Sequence, residues 1–150
     1  MRAVIQRVTR AEVRVDYEVV GRIAHGYVVL LGVGPEDTES SATRLATKLS
    51  KLRVFGDDDG KMNLSVLDVA GSVLVVSQFT LFADTRQGNR PGFSGAAAPA
   101  LAESLYTFFC RKLEHLGIPV ETGRFGADME VDLVNDGPVT LWLEEPMGAG

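Results

Sequence analysis

The sequence predicts a single α+β domain in which mostly antiparallel strands, arranged in a barrel-like way, pack against two main helices. Three observations carry that expectation. Short β-branched segments recur along the chain, two stretches show helical periodicity with capping residues, and the continuous run Tyr27-Val28-Val29-Leu30-Leu31 reads as a strand covered on both faces. With 150 residues and 45% apolar content, the chain is long enough for one substantial core and short for two.

The N-terminal segment mixes Val4, Val8, Val13 and Val15 with Arg and Thr, meets a turn at Asp16-Tyr17, and resumes at Val19, Val20 and Ile23, the pattern of a hairpin. Gly26 precedes the run from Tyr27, which is expected to be central. A helix is expected from Asp37 to Arg53: Asp37 is its cap, Glu39 and the terminal Lys48, Lys51 and Arg53 suit the helix dipole, and Ala42, Leu45, Ala46, Leu49 and Leu52 form one apolar stripe. Asp57-Asp58-Asp59-Gly60 lacks the alternating ligands and distal glutamate of a calcium loop and reads as a solvated turn. Ser72 to Phe82 follows as a strand. The loop from Ala83 to Ala98, rich in Gly, Pro and Arg, has a length that often serves binding. Pro99 opens a second helix with Leu101, Leu105, Phe108, Phe109 and Leu113 inward, and Gly117 and Pro119 end it. Val120 to Phe125, Met129 to Val134 and Val139 to Leu143 read as extended segments. Residues 1–145 are expected to form the domain, with a flexible tail over 146–150, fraying from Glu145.

Composition narrows the function classes. A net charge of -5 argues against coating long duplexes, an affinity built from many Lys and Arg contacts to phosphate, so DNA is not an expected partner. Local clusters at Arg2, Arg7, Arg10 and Arg14, and at Arg86 and Arg90, suffice for a few phosphates or simply for solubility. The longest apolar run, Tyr27 to Val33, falls far below the ~20 residues of a membrane helix, and the N-terminus resembles no signal peptide, so no membrane partner and a cytoplasmic location are expected. The lone Cys110 excludes an intramolecular disulfide and is expected in the core.

Ser77, Gln78 and Thr80 interrupt an otherwise buried strand, and buried polar groups must be satisfied or useful. A hydrolase using Ser77 or Thr80 as nucleophile needs a base, yet His25 sits in a turn, His115 ends a helix, and no Gly-x-Ser-x-Gly surrounds Ser77. Metal-ligating His or Cys pairs are absent, and Gly32-Val33-Gly34 lacks the third glycine or Gly-Lys-Ser/Thr ending of nucleotide fingerprints, so no metal and no cofactor are expected. Catalysis by position and backbone dipoles remains. Where the strand ends beside a pocket, N–H groups near Phe79 and Thr80 polarise a carbonyl, and one such donor is worth ~10²- to 10³-fold in rate. Along a strand, Gln78 and Thr80 face one way and Ser77 and Phe79 the other. The plainer alternative pairs these side chains with neighbouring backbone. Asn135-Asp136-Gly137-Pro138-Val139-Thr140 likewise reads as a hairpin turn between two apolar runs.

Together, Ser77-Gln78-Phe79-Thr80-Leu81 and Asn135-Asp136-Gly137-Pro138-Val139-Thr140 resemble the paired signature of the D-aminoacyl-tRNA deacylase family. The likeness runs from Ala3-Val4-Ile5-Gln6-Arg7-Val8 through Gly60-Lys61-Met62-Asn63-Leu64 and Thr122-Gly123-Arg124-Phe125-Gly126-Ala127-Asp128-Met129 to Trp142. The resemblance implies a homodimer that hydrolyses the ester between a D-amino acid and the terminal adenosine of tRNA, with glycine also accepted. It implies a cis Gly137-Pro138 bond inserted into the other subunit's pocket beside Ser77 to Thr80, where its carbonyls leave no room for an L side chain. The neighbouring ribose hydroxyl would activate water, the N–H groups of Phe79 and Thr80 would hold the carbonyl, and Ser77 and Gln78 would organise the pocket; a Thr80 nucleophile is the alternative. Arg7 would brace the Gly137-Pro138 loop, and Asn135 would be a supporting or pocket residue. Phe125 and Met129 would form pocket or adenine walls unless they are core, and Arg86 and Arg90 would meet tRNA phosphates. Gly92 departs from a serine usual in the family, and Tyr17 from a glycine. Two rivals share these residues: a sister enzyme removing L-alanine from mischarged tRNA, expected to hold Gly-Pro trans, and a catalytically silent RNA-end-binding module.

Overall fold

A computed structural model describes residues 1–146. Strand β1 (Arg2–Val15) reverses through Asp16 and Tyr17, both at positive φ (50° and 70°), into β2 (Glu18–Ile23), the two-residue turn whose twist suits a hairpin. There follow β3 (Gly26–Gly32), α1 (Glu39–Lys51), β4 (Phe55–Gly56), β5 (Met62–Leu64), β6 (Ser72–Ser77), a 3-10 turn (Phe79–Phe82), α2 (Pro99–His115), β7 (Val120–Thr122) and β8 (Glu130–Glu144).

The main sheet runs β2-β1-β3-β6-β7, with β8 also paired to β1. Residues Arg2 to Gln6 pair with β3 and β8 at once, so β8 occupies the opposite edge of β1. Pairings around β1 are antiparallel, whereas β3, β6 and β7 run parallel, which makes the sheet mixed. A Cβ at Gly21 of β2 would stand 2.3 Å from the Thr122 carbonyl oxygen of β7. The two end strands thus approach closely, and the sheet nearly closes into a barrel.

Strand alternation splits the core. Val73 and Val75, with Tyr27, Val29 and Leu31, pack towards Leu45, Leu49, Phe109 and Leu113 of the helices. Leu74, Val76 and Val28 pack with Val8 and Val13 in a second cluster inside the barrel. The Tyr106 hydroxyl donates to the Val75 carbonyl (2.9 Å) and ties α2 to β6. Among the described residues, no helix is long and apolar enough to cross a membrane.

Three local expectations change. Thr38, not Asp37, caps α1 through a reciprocal box with Ser41. The Asp37 carboxylate is buried and accepts from the Met1 ammonium (2.7 Å) and the Gly34 N–H (2.7 Å), partners far outside a helix-cap pattern. The strand from Ser72 stops at Ser77 because β3 pairing reaches only Leu31–Ser77 and β7 pairing only Val75–Thr122, leaving Phe79 to Phe82 without ladder partners. Finally, Met129 to Val134 and Val139 to Leu143 are not the arms of a hairpin: both contribute to β8 and pair with β1. Glu145, expected to open the tail, donates to the Met1 carbonyl (2.8 Å) and pairs with Arg44, while positions 147–150 lie outside the described residues.

Cys110 is buried as expected, and desolvation pushes its thiol up to about 12. Because the thiolate is the reactive species, an aromatic disulfide reagent at pH 8 should label the native protein about a hundredfold or more slowly than the urea-unfolded chain. Equal labelling rates would show that the α2 packing does not shield it.

Candidate active site

A cleft of about 610 Å³ opens at the carboxyl end of β6, lined by Val76, Ser77, Gln78, Phe79, Phe93, Pro99, Ala102 and the segment from Phe125 to Met129 with Val131. Carboxyl ends of parallel strands are where open α/β sheets form binding crevices, and β6 lies between two parallel neighbours. Phe79 and Phe93 meet edge to face (centroids 4.9 Å) and are both exposed. An exposed aromatic pair at a cleft is a surface suited to a flat or apolar ligand group.

The Gln78 N–H donates to the Leu31 carbonyl (2.8 Å), the last bond of the β3–β6 side. Beyond it, Leu81 donates to Gln78 (3.2 Å) and Ala83 to Thr80 (3.0 Å), closing the 3-10 turn. This arrangement leaves the N–H groups of Phe79 and Thr80 without an acceptor among the described residues, as at any helical start. The Gln78 amide donates to the Thr80 hydroxyl, so these two side chains stay neighbours although the strand alternation expected for them does not apply. Of the lining residues only Asp128 is ionisable, and His25 lies elsewhere, its Nε2 2.8 Å from the Val69 carbonyl.

A second constellation forms on β8. Between Gln6 and Val8 the strand β1 advances two residues, while its partner advances five, from Thr140 back to Asn135. Asp136 to Val139 are therefore displaced from the ladder. Asn135 closes the excursion: its Oδ1 accepts from the Val139 N–H (3.0 Å) and its Nδ2 donates to Thr140 Oγ1 (2.9 Å). Arg7 braces it, donating from Nε to the Asp136 carbonyl (3.0 Å) and from Nη1 to the Val54 carbonyl (2.5 Å). Gly137 sits at φ +130°, and a Cβ there would lie 2.8 Å from Val139 Cγ2 and 2.9 Å from Arg7 Nη2, so any side chain at this position is strained and displaces its neighbours. The Gly137-Pro138 peptide is cis.

The chain thus brings Ser77, Gln78, Phe79, Phe125 and Met129 to one cleft, with Thr80 beside it, and gathers Arg7, Asn135, Gly137 and Pro138 elsewhere. None of the latter four lines the cleft of its own chain. Arg86 and Arg90 are exposed on the loop after the turn, where Arg86 forks onto Asp84 (both contacts 2.9 Å) and holds that carboxyl well below the usual range. Sequence reasoning passed over Phe93, Asp128 and the start of α2. Phe93 had a signal, being the one large apolar residue of a loop otherwise small and polar.

A family model described as D-Tyr-tRNA(Tyr) deacylase matches residues 4–144. The chain belongs to that family. With its relatives it is a hydrolase, and a D-aminoacyl-tRNA deacylase of Lacticaseibacillus casei (strain BL23) is 61% identical over 144 residues, 96% of this chain and 97% of the relative. Among solved structures, c-Myc DNA Unwinding Element Binding Protein superposes with a TM-score of 0.92 at 44% identity, covering 97% of this chain and 99% of that one. A probable eukaryotic D-amino acid tRNA deacylase superposes at 0.82 with 17% identity, covering 95% and 97%, a likeness of fold alone.

Replacing Asn135 by Ala removes both hydrogen bonds that close the excursion and leaves the Val139 N–H unpaired. A loss of about 1–3 kcal/mol in urea unfolding is expected. An unchanged midpoint would mean that the loop holds its shape without Asn135.

Proposed function

We propose that the chain hydrolyses the ester joining a D-amino acid to the 3′-terminal adenosine of tRNA, releasing the free D-amino acid and tRNA. One observation carries the reading: the two unpaired N–H groups of Phe79 and Thr80 beside a cleft of this size, in a chain whose relatives are named for that activity. The ester carbonyl oxygen accepts from these N–H groups, which stabilise the oxyanion as it forms. Water attacks the carbonyl carbon, the ribose 2′-hydroxyl relays its proton, and the C–O bond to the 3′-oxygen breaks with that oxygen taking a proton. The scheme calls on no protein base; the lining holds neither His, Lys nor Cys, and Asp128 is its one ionisable side chain. Ser77 and Gln78 shape the pocket, Gln78 fixes the Thr80 hydroxyl, and Phe125 and Met129 wall the space for adenine or side chain. The scheme calls on no metal or organic cofactor.

Selectivity comes from the partner subunit's Gly137 and Pro138, whose carbonyls stand where an L side chain would project, so achiral glycine passes. A homodimer is supported by the position of that loop away from its own cleft. The outer edge of β8, unpaired among the described residues, supports it too, and β8 leaves Trp142 (51%) and Val134 (39%) exposed. Arg86 and Arg90 meet phosphates of the acceptor end, and the cytoplasm, where charged tRNA is used, is the working compartment.

Paired assays on D-tyrosyl-, L-tyrosyl- and L-alanyl-tRNA test the reading. D-tyrosine release with the L-tyrosyl ester intact is expected. Equal rates on both tyrosyl enantiomers, or preferential release of L-alanine, would overturn the chiral assignment, and binding without any release would leave an RNA-end-binding module. Thr80→Ala should keep most of the single-turnover rate, and a substrate lacking the 2′-hydroxyl should be nearly inert. Complete loss in a folded Thr80→Ala protein would transfer the chemistry to the hydroxyl.

A further inference from the structure

The turn Phe79–Phe82 carries the two donor N–H groups, yet none of its four side chains is fully buried. Something outside it has to fix its orientation. Two features do so at its far end. Gly32 and Gly34 form a cradle against the Phe82 ring: a Cβ at Gly32 would lie 3.1 Å from Phe82 Cε2 and 3.0 Å from the Gln78 carbonyl, and one at Gly34 would lie 3.0 Å from Phe82 Cε1. The Asp37 carboxylate holds the Gly34 N–H (2.7 Å) and so fixes one wall of that cradle. Arg2 pairs across the ladder with Gly32, and its guanidinium carbon sits 4.4 Å from the Phe82 ring centroid while Nη1 donates to the Leu81 carbonyl (2.9 Å). Nε reaches Glu144 (3.2 Å), and Trp142 lies 5.9 Å from the same carbon, so the arginine is itself held from β8.

We infer that Arg2 is a positioning residue for the Phe79–Phe82 turn, clamping it through Leu81 and Phe82 against the Gly32 and Gly34 cradle. The glycine pair, which fits no nucleotide fingerprint, thereby has a use: it gives an aromatic ring close access to backbone. A charge-assisted hydrogen bond to a carbonyl and a cation over an aromatic face act on the same four-residue turn, one fixing its backbone and the other its Phe82 ring. Lysine cannot stack, bridge and donate at once, so the role belongs to the guanidinium plane. The catalytic consequence rests on the function proposed above; the anchoring itself does not.

The full-length protein and its variants Arg2→Met, Arg2→Lys, Gly34→Ala and Gly34→Ala/Phe82→Leu decide the matter. D-tyrosyl-tRNA hydrolysis gives kcat and KM, and amide exchange by NMR reads the turn directly. Arg2→Met should lower kcat about fivefold or more, with KM within about twofold, and speed exchange at Leu81 and Ala83 about tenfold while Val73 to Ser77 stay protected. Arg2→Lys should recover part of kcat. Gly34→Ala should lower kcat similarly, and trimming the ring in the double variant should restore it. Unchanged exchange in Arg2→Met overturns the anchoring, unchanged kcat with faster exchange overturns its catalytic part, and a double variant no better than Gly34→Ala overturns the cradle. If the wild-type protein fails to cleave D-tyrosyl-tRNA, the proposed function falls, and exchange alone still decides whether Arg2 holds the turn.

Discussion

Strand β1 is hydrogen-bonded along both edges, and that double commitment governs what its neighbours are able to do. With β3 fixed on one side, β1 cannot slide to absorb extra residues in β8. Three surplus residues between Asn135 and Thr140 therefore leave the ladder opposite Arg7, whose own backbone is pinned by its pairing with Tyr27. A register mismatch that would be a defect in an isolated hairpin becomes a fixed projection here. Its shape is set by Asn135 from within and by Arg7 from behind.

The cleft arises from a second mismatch, this time of strand lengths. β6 is flanked on both sides through Val75, but β7 ends there and β3 pairing ends at Ser77. The chain has to turn where its neighbours stop, and a tight turn leaves its leading N–H groups free. Among the described residues, Val8, Val13, Val28, Leu74 and Val76 pack together in the barrel interior. The cleft opens at the exposed end of β6, where the loop bearing Phe93 and the start of α2 supply the remaining walls.

Periodicity revealed the hairpin, the doubly covered strand from Tyr27 and both helices, since each is decided by its own residues. What escaped the sequence was decided by partners. Asp37 is a good cap in isolation, but a buried ammonium and the Gly34 N–H compete for its carboxylate, and Thr38 takes the cap. The apolar pattern to Phe82 cannot reveal that β3 and β7 run out earlier. Asn-Asp-Gly-Pro signals a reversal locally, yet whether its flanking runs pair with each other or with a shared neighbour is a tertiary fact. That Ser77, Gln78, Phe79, Phe125 and Met129 belong together was legible, and they line one cleft; the place of Asp128 there was not, because one exposed carboxylate among twenty acidic residues carries no mark of its own.

The ionisable groups near the sheet leave little room for acid–base chemistry by side chains. Burial raises Tyr27, Tyr106 and Cys110 above their ordinary values, which keeps all three protonated at neutral pH. Under the proposed function, a site with fixed dipoles and Asp128 as the one ionisable side chain of its lining favours a reaction whose substrate brings its own proton relay, and discriminates by shape. Discrimination by shape places a demand on the wall: it must resist displacement by more free energy than the wrong ligand gains by entering. Arg7 and Asn135 meet that demand with four hydrogen bonds to the excursion and its surroundings, each worth about 0.5–1.5 kcal/mol and more where a charge donates. The wall and the cleft lie apart on one chain, and under the proposed function a two-fold pair of chains is the smallest assembly that would bring each loop to the other copy's turn.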